Sequence, residues 1–368
     1  MYRSISLRTT GTGADSVGGG IRGGKLDINC CGSCKFQDII SIDNLLQSWN
    51  EFLKGKRQRE DIQLFSEDLL DSIVGLHHDL ISNNYRHGLY HEFRINDPKP
   101  RVIHKPTVRD RLLHHAIYRQ LYPIFDPTFI SDSYSCRKGK GTHKALNRFR
   151  NFARRVGQNN SRTCWVLQCD IRQFFASIDQ QTLLAICARK ITDPDTLWLL
   201  QEIIGSFQTT RSGVGLPLGN LTSQLMVNIY LNEFDQFVKH TLKSKRYIRY
   251  ADDFVFLSDN RQVLEGLLLV IKTFLSDQLN LSLHPNKVHI RTLASGVDFL
   301  GWVHFSDHRV LRTKTKRRLL FVLSNDPPPE TVASYLGLLK HGNTYNLHLR
   351  LDQSHHPNRS GTGIKGRF

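Results

Sequence analysis

The strongest constraint on this chain is a pair of adjacent carboxylates, Asp252 and Asp253, set between two apolar runs. The segment reads Tyr247-Ile-Arg-Tyr-Ala-Asp-Asp-Phe-Val-Phe-Leu257. Its β-branched and aromatic residues predict two strands hinged on the acidic pair. Neighbouring charges between buried strands are costly unless a cation neutralises them. An exposed Asp-rich turn is the common alternative for such a tetrapeptide. A third carboxylate shifts the balance. Cys164-Trp-Val-Leu-Gln-Cys-Asp170 is a second apolar run that ends on an acid, 82 residues before Asp252. Three carboxylates at two strand ends can hold a pair of Mg²⁺ ions for an in-line phosphoryl displacement.

The remainder alternates between periods. Residues 39–86 carry apolar residues at helical spacing, as do 109–122, the stretch from Leu221 to about residue 240, and 261–279. His91–Ile95 and Arg101–His104 flank Asn96-Asp-Pro-Lys-Pro100 and predict a hairpin with a basic second strand. A further hairpin is expected over Phe299–Leu311. No βαβ regularity or Gly-rich crossover is present, so the expected class is α+β.

Composition narrows the partner. The 368 residues hold 39% hydrophobic residues, with 20 Phe and 11 Tyr, which excludes a largely disordered basic tail protein. No run approaches 18 apolar residues, and the N-terminus has no apolar signal region, so neither a membrane span nor secretion is expected. Seven cysteines, mostly scattered, read as free thiols of a reducing cytoplasm. Cys30-Cys31-Gly-Ser-Cys34 has no second ligand pair for zinc. The formal net charge is +17 and points to a polyanion, either nucleic acid or an anionic membrane. It lies in two blocks. Residues 97–155 hold 14 Lys/Arg against 4 Asp/Glu, and residues 299–368 hold 11 against 4. Two basic blocks around a neutral centre suggest the walls of a polyanion channel.

Taken in order, five motifs resemble those of reverse transcriptases: Asp170-Ile-Arg-Gln-Phe-Phe175, Gly215-Leu-Pro-Leu-Gly-Asn-Leu-Thr-Ser-Gln224, Tyr250-Ala-Asp-Asp253, His284-Pro-Asn-Lys287 and Phe299-Leu-Gly-Trp302. The resemblance spans roughly residues 90–345. It implies an α+β right-hand polymerase: fingers, a palm of antiparallel sheet plus helices, and a small helical thumb. The implied division is a flexible leader over 1–38, N-terminal helices and fingers over 39–160, palm over 161–298, primer-grip hairpin over 299–312, and thumb with basic tail over 313–368.

The resemblance also implies roles. Asp170, Asp252 and Asp253 would bind two Mg²⁺ ions, with Mn²⁺ as a substitute, and the Ile171 carbonyl would assist. Phe175 matches a steric gate that excludes the ribose 2′-OH. Lys105 and Arg111, and less so Arg109, would grip the triphosphate of a dNTP. Leu218 and Gly219 would lie at the nascent pair, and Lys287 at the pyrophosphate. Arg137, Lys138 and Lys140 would handle template, together with Ser223, Gln224 and Tyr250. Phe299, Leu300, Gly301 and Trp302 would hold the primer.

Two departures refine the expectation. Many family members carry Gln where Leu218 stands and Ser-Pro where Ser223-Gln224 stands. This pattern, with Ser334-Tyr-Leu-Gly-Leu-Leu-Lys-His-Gly-Asn-Thr-Tyr345, is similar to the enzymes of diversity-generating retroelements. Such enzymes copy a template RNA with errors at adenines and work with a small basic accessory protein. Replacing an amide by Leu removes a polar discriminator, which fits looser base selection. The expected partners are template RNA, a DNA or RNA primer and dNTPs, in a cytoplasmic bacterial or phage-encoded setting. Group II intron-like, phage-defence and CRISPR-associated reverse transcriptases are the alternatives, though an intron enzyme would continue into a maturase domain. A catalytically silent RNA-binding protein is the non-enzymatic one.

Overall fold

In the computed structural model the described residues are 34–96, 100–325, 327–345 and 347. Four helices open them: α1 (Phe36–Ile40), α2 (Ile42–Phe52), α3 (Glu60–Glu67) and α4 (Leu69–Ile81). Ser41 caps α2 by accepting from the Asn44 N–H at 3.2 Å. Phe36, Ile39 and Ile40 are buried, so the core begins inside the stretch expected as leader. Residues 1–33, with Cys30 and Cys31, lie outside the described residues.

Strands β1 (His91–Ile95) and β2 (Arg101–Lys105) form the expected antiparallel hairpin. Helices α5 (Val108–Phe125) and α6 (Thr142–Val156) follow. Thr107 caps α5, accepting from the Asp110 N–H at 3.2 Å. Next come β3 (Trp165–Asp170), α7 (Phe174–Ser177), α8 (Gln180–Ala188), α9 (Pro194–Gly205) and α10 (Leu221–Gln236). Then β4 (Tyr247–Tyr250), β5 (Asp253–Ser258), α11 (Arg261–Leu279) and β6 (His289–Thr292) complete a four-stranded sheet. Its order is β4-β5-β3-β6 and every pairing is antiparallel.

The sheet is buried on both faces. Leu167, Cys169, Tyr247, Phe254 and Phe256 face one core, which includes residues of α5, α10 and α11. Val166, Ile248, Val255 and Leu257 alternate with them into a second core, with α6 and the C-terminal elements. Two-sided burial explains why these strands read as continuous apolar runs. The predicted hairpin at 299–311 is instead a three-stranded sheet, β7 (Val297–Phe299), β8 (Trp302–His304) and β9 (Arg309–Leu311). Phe299 and Trp302 flank the first turn, and β7 starts two residues before the expected boundary. The helices α12 (Thr313–Leu323) and α13 (Pro329–Leu339) end the regular structure. No helix among the described residues is long and apolar enough to cross a membrane.

Candidate active site

Strand register brings two acids together. Asp170 pairs directly with Asp253 across β3 and β5, and Tyr250 pairs with Asp253 across β4 and β5. Ala251 and Asp252 therefore make a two-residue turn at the end of the sheet. Such turns favour positive φ, and Ala251 sits at +53° without being glycine. That conformation is held from beneath. Arg249 is fully buried and donates to both oxygens of Asp235 at 2.7–3.0 Å. It also donates to Asn228 Oδ1 at 3.2 Å and to the Ala251 carbonyl at 3.3 Å. The Tyr247 hydroxyl donates to Asp235 Oδ1 at 2.7 Å. The Ile171 N–H donates to the Asp252 carbonyl at 3.3 Å, which places Ile171 beside the acids.

The acids are under-neutralised. Burial, then the charges of Asp252 and Asp170, push Asp253 up to about 7. Burial also raises Asp252, with Asp170 adding to it and Lys287 and Arg101 opposing. Lys287 Nζ lies 2.8 Å from Asp170 Oδ1. Among the described residues, no group of three or more His, Cys, Asp or Glu side chains is arranged to hold a metal ion by itself. In general, Mg²⁺ is held by one or two carboxylates together with water and substrate phosphates, not by a dedicated protein cage.

The other expected residues fall in two groups, only one of which lines the cleft on the carboxylates. Phe175 is half-buried, and its carbonyl accepts from the Leu216 N–H at 2.8 Å. The Leu218 carbonyl accepts from the His104 N–H of β2 at 3.2 Å. Gly219 has φ +107°, and a Cβ there would stand 3.0 Å from Ile103. The loop before α10 is thus laced to the fingers hairpin. A cleft of about 520 Å³ opens on the carboxylates and is lined by Asp170, Asp253, Lys287, Leu300, Gly301 and Arg312, among others. Leu300 and Gly301 have φ +51° and +85°, a turn tip presented to the cleft. Phe299 and Trp302 are 1% exposed, so they anchor that tip from the core rather than meet a ligand directly.

The proposed cations separate. Lys105 Nζ binds Asp61 Oδ2 at 2.8 Å and Arg111 binds the same oxygen, while Arg109 binds Asp79. None of the three lines the carboxylate cleft. Arg101, which sequence reasoning did not single out, is the fingers cation whose charge reaches Asp252. It is the first residue of the basic strand, opposite Ile95, and nothing in its sequence position sets it apart from the hairpin's other cations. Arg137 is turned inward, onto Asp126 Oδ1 at 2.7 Å and the Ile130 carbonyl at 2.7 Å. It shapes the following loop, leaving Lys138 and the half-buried Lys140 nearer solvent. Ser223 is buried, Gln224 is half-buried, and the Tyr250 hydroxyl accepts from Thr142 at 3.1 Å.

Paired carboxylates at the ends of the two central strands of an antiparallel sheet define a polymerase-type palm. Residues 95–304 match the family described as reverse transcriptase (RNA-dependent DNA polymerase), and the chain belongs to that family. It is 26% identical over 268 residues to Protein YkfC of Escherichia coli (strain K12), covering 62% of this chain and 68% of that protein. It is 24% identical over 290 residues to the Group II intron-encoded protein LtrA of Lactococcus lactis subsp. cremoris, covering 61% of this chain. Only 47% of LtrA is spanned. A structure of apo telomerase from Candida tropicalis, truncated from its C-terminal domain, is 12% identical with a TM-score of 0.46, over 61% of this chain and 55% of that one.

Proposed function

We propose that this chain is an RNA-directed DNA polymerase that extends a primer on a template RNA by two-metal nucleotidyl transfer. The observation that carries this reading is the register pairing of Asp170 with Asp253 beside the Asp252 turn, within a family-matched palm. Bound divalent ions would supply the charge that activates the primer hydroxyl and neutralises the leaving pyrophosphate. The chain's own residues do the positioning. Arg249 and Asp235 hold the turn that carries Asp252. Phe175, backed by Leu216, would close off space beneath the sugar and select dNTPs. Arg101, whose charge reaches Asp252, suits the triphosphate, and Lys287 pairs with Asp170. Lys105, Arg109 and Arg111 stand on other carboxylates, so Arg101 replaces them as the first candidate for that contact.

Leu218 and Ser223-Gln224 support the narrower reading of an error-prone enzyme of a diversity-generating retroelement, working with a small basic accessory protein. The likeness to LtrA supports a group II intron-like enzyme as the second reading. One experiment addresses both levels. Purified chain with Mg²⁺ or Mn²⁺ should extend a primer on an RNA template, and Asp252→Asn should abolish extension. Full activity in Asp252→Asn would remove the metal assignment. Sequenced products should show errors concentrated opposite template adenines, and an even error spectrum would favour the intron-like reading.

A further inference from the structure

A small cavity of about 20 Å³ lies between α6 and the turn that joins β8 to β9. It shares no lining residue with the cleft that opens on the carboxylates. Its polar lining is Arg150 from α6, with His304, Ser306, His308 and Arg309 from the turn and its flanking strands. Arg150 belongs to the first basic block and Arg309 to the second, so the two blocks meet here. Neither cation has a carboxylate partner among the described residues. Arg150 donates to the Asp307 carbonyl at 3.4 Å. Arg309 donates through Nε to the His341 carbonyl and through Nη2 to Asn147 Oδ1 at 3.3 Å. Asp307, the acid of this turn, pairs instead with His308 Nδ1 at 2.7 Å.

Two buried atoms of the lining are unsatisfied. His304 is 3% exposed, yet its Nε2 has no hydrogen-bond partner. Arg309 Nη1 is buried and likewise unpaired. Native folds leave few such atoms without a reason. The electrostatics agree. Burial, then the charges of Arg309 and Arg150, push His304 down to about 3. Burial and the charge of Arg150 also hold Arg309 below the usual guanidinium range. Positive charge is therefore gathered at the cavity without an answering anion.

Shape and chemistry select what answers it. A single water-sized atom needs roughly 10–15 Å³, so the cavity takes one such atom and little more. A water would pair with His304 but leave both guanidinium charges unmatched. A tetrahedral oxyanion meets both needs, because one oxygen enters while the others stay at the mouth. Guanidinium groups suit phosphate oxygens in charge and in geometry. We propose that this cavity binds a single phosphate group, whose inserted oxygen accepts from Arg309 Nη1 and His304 Nε2–H while Arg150 takes an outer oxygen. Arg309 is already braced, by the His341 carbonyl and over the Trp302 ring at 5.6 Å, so binding orders little. Inorganic phosphate and an RNA phosphodiester both supply this group.

Calorimetric titration of the full chain with inorganic phosphate, free of divalent metal, should show saturable binding. Arg150→Gln should weaken it about 10-fold, the scale of one hydrogen bond to a charged group. Arg150 is exposed, so this variant is expected to fold. Ser306→Asp, which places a carboxylate in the lining, should abolish the binding. A short single-stranded RNA then separates the two sources. Displacement of bound phosphate by the RNA in wild type assigns the site to a phosphodiester, and retained phosphate binding assigns it to the free anion. No saturable phosphate binding in wild type, or binding unchanged in Arg150→Gln and Ser306→Asp, would overturn the proposal. The outcome is independent of whether the chain extends a primer.

Discussion

Asp253 faces Asp170 across the sheet and adjoins Asp252, so its charge meets two others where water is largely withdrawn. A carboxyl raised in the folded state keeps a proton that the unfolded chain has lost. Its stabilisation is complete below about 4, the unfolded value, and is lost as pH rises through about 7. Asp252 contributes in the same direction. Metal-free protein should therefore melt several degrees lower at pH 8 than at pH 5.5. Asp253→Asn should remove much of that dependence in a thermal melt, and an unchanged pH profile would contradict the assignment. Phe175 offers a second test at this scale. Shortening it to Ala opens space beneath the sugar and should raise rNTP incorporation about 10-fold or more. Unchanged sugar selectivity in competition extension would remove its gate role. Both residues stand within short motifs whose resemblance to the family's implies their roles. Arg101 was not singled out, because only the tertiary fold brings the charge of one of the hairpin's several cations to bear on Asp252.

Strands β3, β4 and β5 and helices α5 and α11 lie where periodicity placed them, since long apolar patterns are set by burial on defined faces. The extra strand β7 escaped detection because Val297-Asp-Phe299 is too short to carry a period of its own. The buried Arg249–Asp235 pair escaped for another reason: its partners lie on β4 and α10, joined only by packing. This pair links the two elements that support the Ala251-Asp252 turn. Removing one partner leaves a buried charge unpaired, at a cost of about 3–5 kcal/mol. Asp235→Ala should show that loss in chemical denaturation and should also depress extension. A change below about 1 kcal/mol would mean that the pair does not hold the turn.

The two basic blocks have distinct addresses in the whole molecule. Residues 97–155 supply the fingers hairpin, α5 and α6, and residues 299–368 begin at the turn that lines the catalytic cleft. Some of those cations are spent inside the protein, as Arg137 on Asp126 shows, so formal charge overstates what a nucleic acid would meet. The C-terminal helices pack on the second sheet through a core that includes Trp302, Leu319 and Leu339. A Cβ on Gly342 would stand 2.0 Å from Trp302 Cζ3, a contact that forces one of them to move. Gly342→Ala should cost about 1–3 kcal/mol and shorten extension products while sparing single-nucleotide addition. Unchanged product length would show that this contact does not set the grip.

Local chemistry in the chain determined the α+β class, the main strands and helices, and the places of three acids at or beside strand ends. Each of these depends on residue type at short spacing. Tertiary structure alone decided which cations face the acids and which are consumed by Asp61, Asp79 and Asp126. It alone decided that Asp170 would stand opposite Asp253, because register is settled by burial on both faces of the sheet. Charge can be counted along a chain, but its direction is set by whatever packs against it.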